Sequence, residues 1–171
     1  MDSDGYLSQL ADIFNGITVN TPSISAIIAI ALAGVLLLAS GFASASEIAF
    51  FSLSPSDRND IDERNHPSDD KITALLGDTE RLLATILITN NFVNVTIIML
   101  CNFFFMNVFV FHSPLAEFLI LTVILTFLLL LFGEIMPKIY SAQKTLAFCR
   151  FSAPGIYALE KVFYPIASVL V

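Results

Sequence analysis

Three groups of oxygen-bearing side chains interrupt an otherwise apolar chain. Ser40, Ser44 and Glu47 recur at i, i+4 and i+7, with Ser46 beside them, a spacing that puts the first three on one helical face. Asn90 and Asn94 stand four residues apart, and Asn91 lies within i+3 reach of Asn94. Gly133 and Glu134 precede Pro137. Proline has no amide hydrogen, and its ring crowds the carbonyl four residues earlier, here that of Gly133. The expectation is an orphaned carbonyl oxygen beside the Glu134 carboxylate, which inside a membrane needs a polar partner, water or an ion. Hydroxyls, amide oxygens, a carbonyl and one carboxylate make a hard ligand set without thiolate or imidazole. Such a set suits a hard cation better than zinc or copper. Mg2+ wants near-octahedral oxygen at ~2.0–2.1 Å and sheds water reluctantly. Na+ accepts similar ligands, so these residues alone do not choose between the two.

A structural reading competes at each position. Serine and asparagine within spans commonly hydrogen-bond one helix to another, which would make the chain a membrane scaffold or sensor. Glu134 asks for more, because a carboxylate at membrane depth costs ~2.5–3.5 kcal/mol on insertion scales and marks function by default. Its structural alternative is pairing with Lys138 at i+4. For Glu47 the alternative is simple access to the membrane surface. Glu117 suits a helix-dipole partner, and His66 and His112 are weak loop candidates. Cys101 and Cys149 match no metal spacing and imply no disulfide, so buried inert thiols are expected. No His or Lys is placed in the spans to activate a serine. The expectation is therefore not an enzyme.

These groups must be held by elements that cross a membrane. The chain is 56% apolar with a mean hydropathy of +0.80 and only 13% charged residues, where a soluble domain carries about 25% charged. Three apolar runs each exceed the ~20 residues that cross a hydrocarbon core: Ile24 to Phe51, Leu82 to Phe111, and Leu115 into Gly133–Pro137. Phe103–Phe104–Phe105 in the second reads as lipid or helix packing surface. Ala43-Ser44-Ala45 resembles a signal-peptidase site, but the preceding tail is acidic (Asp2, Asp4, Asp12) and lacks the basic n-region of a signal. Along the spans, ~1.5 Å per residue puts Ser44 and Glu134 about 30 Å from their outer ends. The asparagines lie roughly 14 to 20 Å from the inner end of theirs. The three groups share the inner half of the membrane.

All eight Lys and Arg fall in two stretches, Arg58 to Arg81 and Lys138 to Lys161. Three spans put both on one side, which the positive-inside rule assigns to the cytoplasm. The N-terminus is expected outside and the C-terminus inside, in the cell membrane. Ser54-Pro55 with Asp57 predicts a helix start. His66-Pro67 ends that helix, Ser68 can cap a second that stops near Gly77, and Asp78 or Thr79 can cap the second span. Residues 139–171, with Lys144, Arg150, Pro154, Glu160, Lys161 and Pro165, suit amphipathic helices at the inner interface rather than a fourth span.

The fold class is thus an all-α membrane protein with three transmembrane helices plus juxtamembrane amphipathic helices. Its parts are an extracellular tail (1–23), a three-span domain (24–138) with a cytoplasmic helical hairpin at 54–78, and juxtamembrane helices (139–171). The chain closes on an apolar stretch, Pro165 to Val171, so a soluble domain is expected to follow. The bilayer is the expected partner, and no nucleic acid is.

Three segments together resemble a known family. Phe42-Ala43-Ser44-Ala45-Ser46-Glu47-Ile48-Ala49, Leu87-Ile88-Thr89-Asn90-Asn91-Phe92-Val93-Asn94 and Phe132-Gly133-Glu134-Ile135-Met136-Pro137-Lys138 are similar to the signatures of the CNNM/CorB/CorC magnesium transporters' transmembrane domain. The G-E-I-x-P-K run is the most specific of them. The resemblance implies a homodimer of three-span subunits, a belt of juxtamembrane helices and a cytoplasmic CBS pair that binds ATP. It implies Mg2+ transport, with extrusion coupled to Na+. Ser44, Asn94, the Gly133 carbonyl and Glu134 match its ion-site positions, with Asn90, Asn91 and Ser46 next in order. Two departures stand out: the CBS modules are absent, and the first motif reads Ala-Ser-Ala-Ser where many members carry a glycine.

Overall fold

The computed structural model describes residues 18–111 and 113–170. Asp2, Asp4, Asp12, His112 and Val171 lie outside the described residues, as does most of the N-terminal tail.

The first long helix, α1 (Ile24–Phe51), starts where Ser23 accepts a 3.2 Å hydrogen bond from the Ala26 amide. A two-residue strand before it, β1 (Thr18–Val19), pairs antiparallel with β2 (Phe109–Val110). Beyond α1 come two short helices, α2 (Pro55–Asp62) and α3 (Asp69–Leu76). The second long helix, α4 (Thr79–Val108), leads into β2. The third begins as α5 (Pro114–Leu128), widens into a π-helical segment (Leu129–Ile135) and narrows again as α6 (Met136–Gln143). A last helix, α7 (Thr145–Leu170), runs through Pro154 and Pro165.

Among the described residues, three helices are long and apolar enough to cross a membrane: Ile24–Phe51, Thr79–Val108 and Glu117–Gln143. Large apolar side chains such as Val35, Leu38, Phe92, Met99, Phe118 and Phe127 stand exposed along them. On a soluble protein that surface would be an association hazard; facing lipid it is the required solvent-exposed side. Between the helices the contact surface is made of small residues. Ala26, Ala29, Ala33, Ser40, Ala43 and Ser44 of α1 are all buried, and small side chains let helix backbones approach closely where lipid supplies no hydrophobic drive.

The caps follow the sequence closely. Ser54 and Asp57 form a reciprocal capping box with Pro55 in the first turn of α2, and Asp78 accepts from the Arg81 amide at 3.1 Å to start α4. Ser68 differs: it precedes α3 but makes no side-chain cap. Asp69, the first helical residue, instead reaches back to accept the His66 amide of the preceding turn at 3.0 Å. The connection also needs Arg64 in a left-handed conformation, φ 53°.

A second core sits at the end that carries the basic residues. Phe50 in α1's last turn and Leu53 just after it, Ile61, Ile72 and Leu75 of the hairpin, Leu82 and Ile86 of α4, and Cys149, Ala153 and Ile156 of α7 pack together. The third long helix continues to Gln143, five residues past the expected boundary at 138. One 26-residue helix then follows where several shorter ones were expected. Lys144, with φ −135°, makes the break between α6 and α7. Pro154 and Pro165 lie inside α7 without ending it.

Candidate cation site

Ser40 is fully buried on α1, and its hydroxyl lies 2.8 Å from Asn90 Oδ1 and 2.7 Å from Asn94 Oδ1 of α4. The one-turn spacing of the two asparagines brings both amides to the same point. A hydroxyl owns one hydrogen, so it can donate to only one of these oxygens at a time. The other contact sets acceptor against acceptor, an arrangement relieved by a cation or by an amide turned end for end. The third helix arrives at the same place. Gly133 is buried, and a Cβ built on it would stand 3.1 Å from Ser40 Oγ. An alanine there would press on the serine, which would have to give by a few tenths of an ångström.

Ser44, one turn further along α1, is fully buried, and its hydroxyl has no hydrogen-bond partner among the described residues. The Thr85 hydroxyl on α4 shares that condition. A buried unmade hydrogen bond costs about 1–3 kcal/mol, so two in one membrane-embedded region are notable. Ser46 is buried too, but it donates to the Phe42 carbonyl of its own helix at 2.7 Å. Asn91 is exposed, about 100° round the helix from Asn90, and stands apart from the Ser40 cluster.

The π segment revises the expectation about Pro137. The Met136 amide reaches the Leu131 carbonyl, five residues back. In this register the donor that Pro137 lacks is owed to Phe132 rather than to Gly133. The Phe132 carbonyl turns toward α1, where a Cβ on Gly41 would come within 3.4 Å of it and within 2.9 Å of Pro137 Cγ. Two glycines on two helices, Gly41 and Gly133, thus permit one close crossing. π turns of this kind often mark functional sites.

Glu134, next to Gly133 in the π segment, does not join the amides. Its Oε1 lies 3.3 Å from Lys138 Nζ, and the same ammonium lies 3.1 Å from Glu47 Oε2 on α1. The side chains are part-exposed, 44% for Glu134, 26% for Lys138 and 27% for Glu47. Sequence spacing allowed either the Glu134–Lys138 pair or a surface-seeking Glu47, but not one lysine holding both acids. Nearby, Ser141 Oγ donates to the Ala45 carbonyl at 2.6 Å, fastening α6 to α1 at the same level.

Residues 30–171 match the cyclin M transmembrane N-terminal domain. The chain belongs to that family. A UPF0053 protein of Haemophilus influenzae is 31% identical over 132 residues, which cover 77% of this chain and 30% of that protein. The chain therefore spans about a third of the length of that relative.

In this cyclin M domain, then, the structure gathers Asn90, Asn94 and Gly133 around Ser40, leaves Ser44 buried one turn away, and ties Glu134 to Lys138. Ser40 was visible as the first member of the Ser40–Ser44–Glu47 face, yet spacing alone gave no reason to rank it above Ser44 or Ser46. Its role emerges only from α1 and α4 meeting at that turn. No group of three His, Cys, Asp or Glu is placed to hold a metal among the described residues. A cation here would depend on neutral oxygens plus one acid.

Outside the spans, Arg150 of α7 grips Asp69 of α3 with Nε–Oδ1 at 2.8 Å and Nη2–Oδ2 at 3.0 Å. Asp69 is fully buried. Burial works against its charge, but the Arg150 hydrogen bond, the His66 amide and the Arg150 charge together hold its carboxyl below the usual 3.8. Nothing in the spacing of two residues 81 apart announced this pair.

Proposed function

We propose that this cyclin M domain carries Mg2+ across the cell membrane, taking a partly dehydrated ion between α1, α4 and the π segment. The observation that carries the reading is the meeting of Asn90 Oδ1 and Asn94 Oδ1 on the single Ser40 hydroxyl, with the partnerless Ser44 hydroxyl one turn away. Neutral oxygens with one nearby carboxylate, Glu134, would hold a dication weakly enough to release it, and Mg2+ would keep several of its waters. Ser44, Asn90, Asn94 and Glu134 are the proposed ligands, and the Gly133 carbonyl is a less favoured one because the π register moves the donor missing at Pro137 to Phe132. Asn91 and Ser46 are also less favoured members of the set, given the outward face of the one and the internal bond of the other. The charge asymmetry supports an N-terminus outside and a cytoplasmic C-terminus. Efflux coupled to Na+, a homodimer, and regulation by a following ATP-binding CBS pair belong to the same proposal.

Mg2+ flux into or out of liposomes tests it, comparing the wild type with Glu134→Ala and Asn94→Ala. Both variants are expected to lose most of the flux, and undiminished flux in both removes the site assignment. A second reading has its own observation: Ser40 bridging α1 to α4 and Glu134 neutralised by Lys138 are what helix-locking polar groups look like. On that reading the chain is a scaffold or sensor, and Mg2+ leaves its thermal stability unchanged.

A further inference from the structure

Lys138 sits between the two carboxylates at the inner crossing of α1 and the third helix, 3.1 Å from Glu47 and 3.3 Å from Glu134. An ionised acid at membrane depth is costly unless something neutralises it. A tethered ammonium does so without an ion from solution. Its reach is fixed, because Lys138 follows Glu134 by one helical turn on the same face, and Pro137 is pressed against Gly41. Glu47 gives the ammonium a second acceptor on another helix, so it can leave Glu134 without being left unpaired itself.

We propose that Lys138 is a built-in stand-in cation for the site. It occupies the Glu134 carboxylate when no metal is present and shifts its charge wholly onto Glu47 when a dication arrives. The inference rests on the transport reading above, and it assigns Lys138 and Glu47 a positioning role in it. Its consequence is competition. An arriving Mg2+ must displace an ammonium from its only acidic ligand, which weakens binding and favours release. Glu47 tunes that competition by holding the ammonium away.

The test measures Mg2+ binding calorimetrically, with the Mg2+-dependent rise in melting temperature alongside, for the chain in lipid nanodiscs. Lys138→Met, which keeps length and removes charge, is expected to bind Mg2+ roughly fivefold tighter, the scale of a part-exposed ion pair. Glu47→Gln is expected to bind it more weakly, since the ammonium then concentrates on Glu134. Combining the two is expected to restore the Lys138→Met affinity, because without the ammonium Glu47 has nothing to hold. A structural ion pair acting only through its field shifts the two single variants in opposite directions but additively, so its double variant would fall between them. Equal or weaker binding by Lys138→Met, beside wild-type binding that Glu134→Ala abolishes, overturns the stand-in role and leaves the transport reading intact. Wild-type binding that survives Glu134→Ala, or is absent, removes the transport reading and this role with it. If Lys138→Met fails to fold, Glu47→Gln decides alone: unchanged affinity there overturns the role.

Discussion

The Ser40 hydroxyl of α1 lies 2.7 Å from the Asn94 amide oxygen of α4, and the same hydroxyl meets Asn90 at 2.8 Å. Replacing Ser40 by alanine takes away the hydrogen and leaves the two amide oxygens facing an apolar methyl. A net loss of about 1 kcal/mol in stability is expected from the hydrogen bond itself. Mg2+-dependent thermal stabilisation of Ser40→Ala should fall well below that of the wild type. A full-sized Mg2+ response in this variant would place the ion elsewhere.

Gly41 and Gly34 lie two turns apart on α1 but predict opposite outcomes. A Cβ at Gly41 stands 2.9 Å from the Pro137 ring, which cannot swing aside, whereas nothing lies within 4 Å of one at Gly34. Gly41→Ala is expected to destabilise by about 1–3 kcal/mol through overpacking. Gly34→Ala should be neutral or gain up to ~1 kcal/mol of helix propensity. Unfolding in mixed detergent micelles would rank them, and equal stabilities would contradict the close crossing of α1 with the third helix.

The Asp69–Arg150 pair makes a pH prediction. Asp69's carboxyl is held below its ordinary 3.8 in the folded chain. Its stabilising contribution is therefore complete above that value and disappears as pH falls through the lower, folded value. Arg150→Met leaves the Asp69 carboxylate without its cation and should cost about 1–3 kcal/mol, while moving acid unfolding of the basic end to higher pH. In Asp69→Asn the acid transition should lose this component altogether. Melting temperatures between pH 2 and 7 for the three proteins make the comparison, and parallel curves would count against the pair.

Cys149 is fully buried in the basic-end core, and burial foremost, with the Asp69 charge adding to it, pushes its thiol up to about 12. The thiolate is the reactive form, so at pH 8 the folded chain should resist alkylation at this position. Modification counted by mass spectrometry should appear there only after denaturation. Rapid labelling of the native chain would mean that α7 does not lie over α3 and α4 as described.

What the sequence disclosed and what it withheld follow from the range of each interaction. The spans, the capping box at Ser54 and Asp57 and the Asp78 cap are local, decided by residues within a turn of one another. The Ser40–Asn90–Asn94 meeting depends on how two helices rotate against each other, and serines at i and i+4 look alike until that rotation is known. The π register depends on which carbonyl the Met136 amide selects, so counting four residues back from Pro137 pointed to Gly133 where the structure points to Phe132. The double grip of Lys138 needed Glu47 from a helix 91 residues earlier in the chain. Asn91 had a local clue: it is adjacent to Asn90 and so cannot share its face.

The packing of α7 across the foot of α4 has a mechanical consequence. Ile86 shares one buried cluster with Ala153 and Ile156, Arg81 lies 4.9 Å from the Tyr164 ring, and Asn90 comes one turn after Ile86. A tilt of α7 would therefore press on the base of α4. Asn90 and Asn94 belong to that helix, so their spacing to the Ser40 hydroxyl is the quantity such a tilt would change.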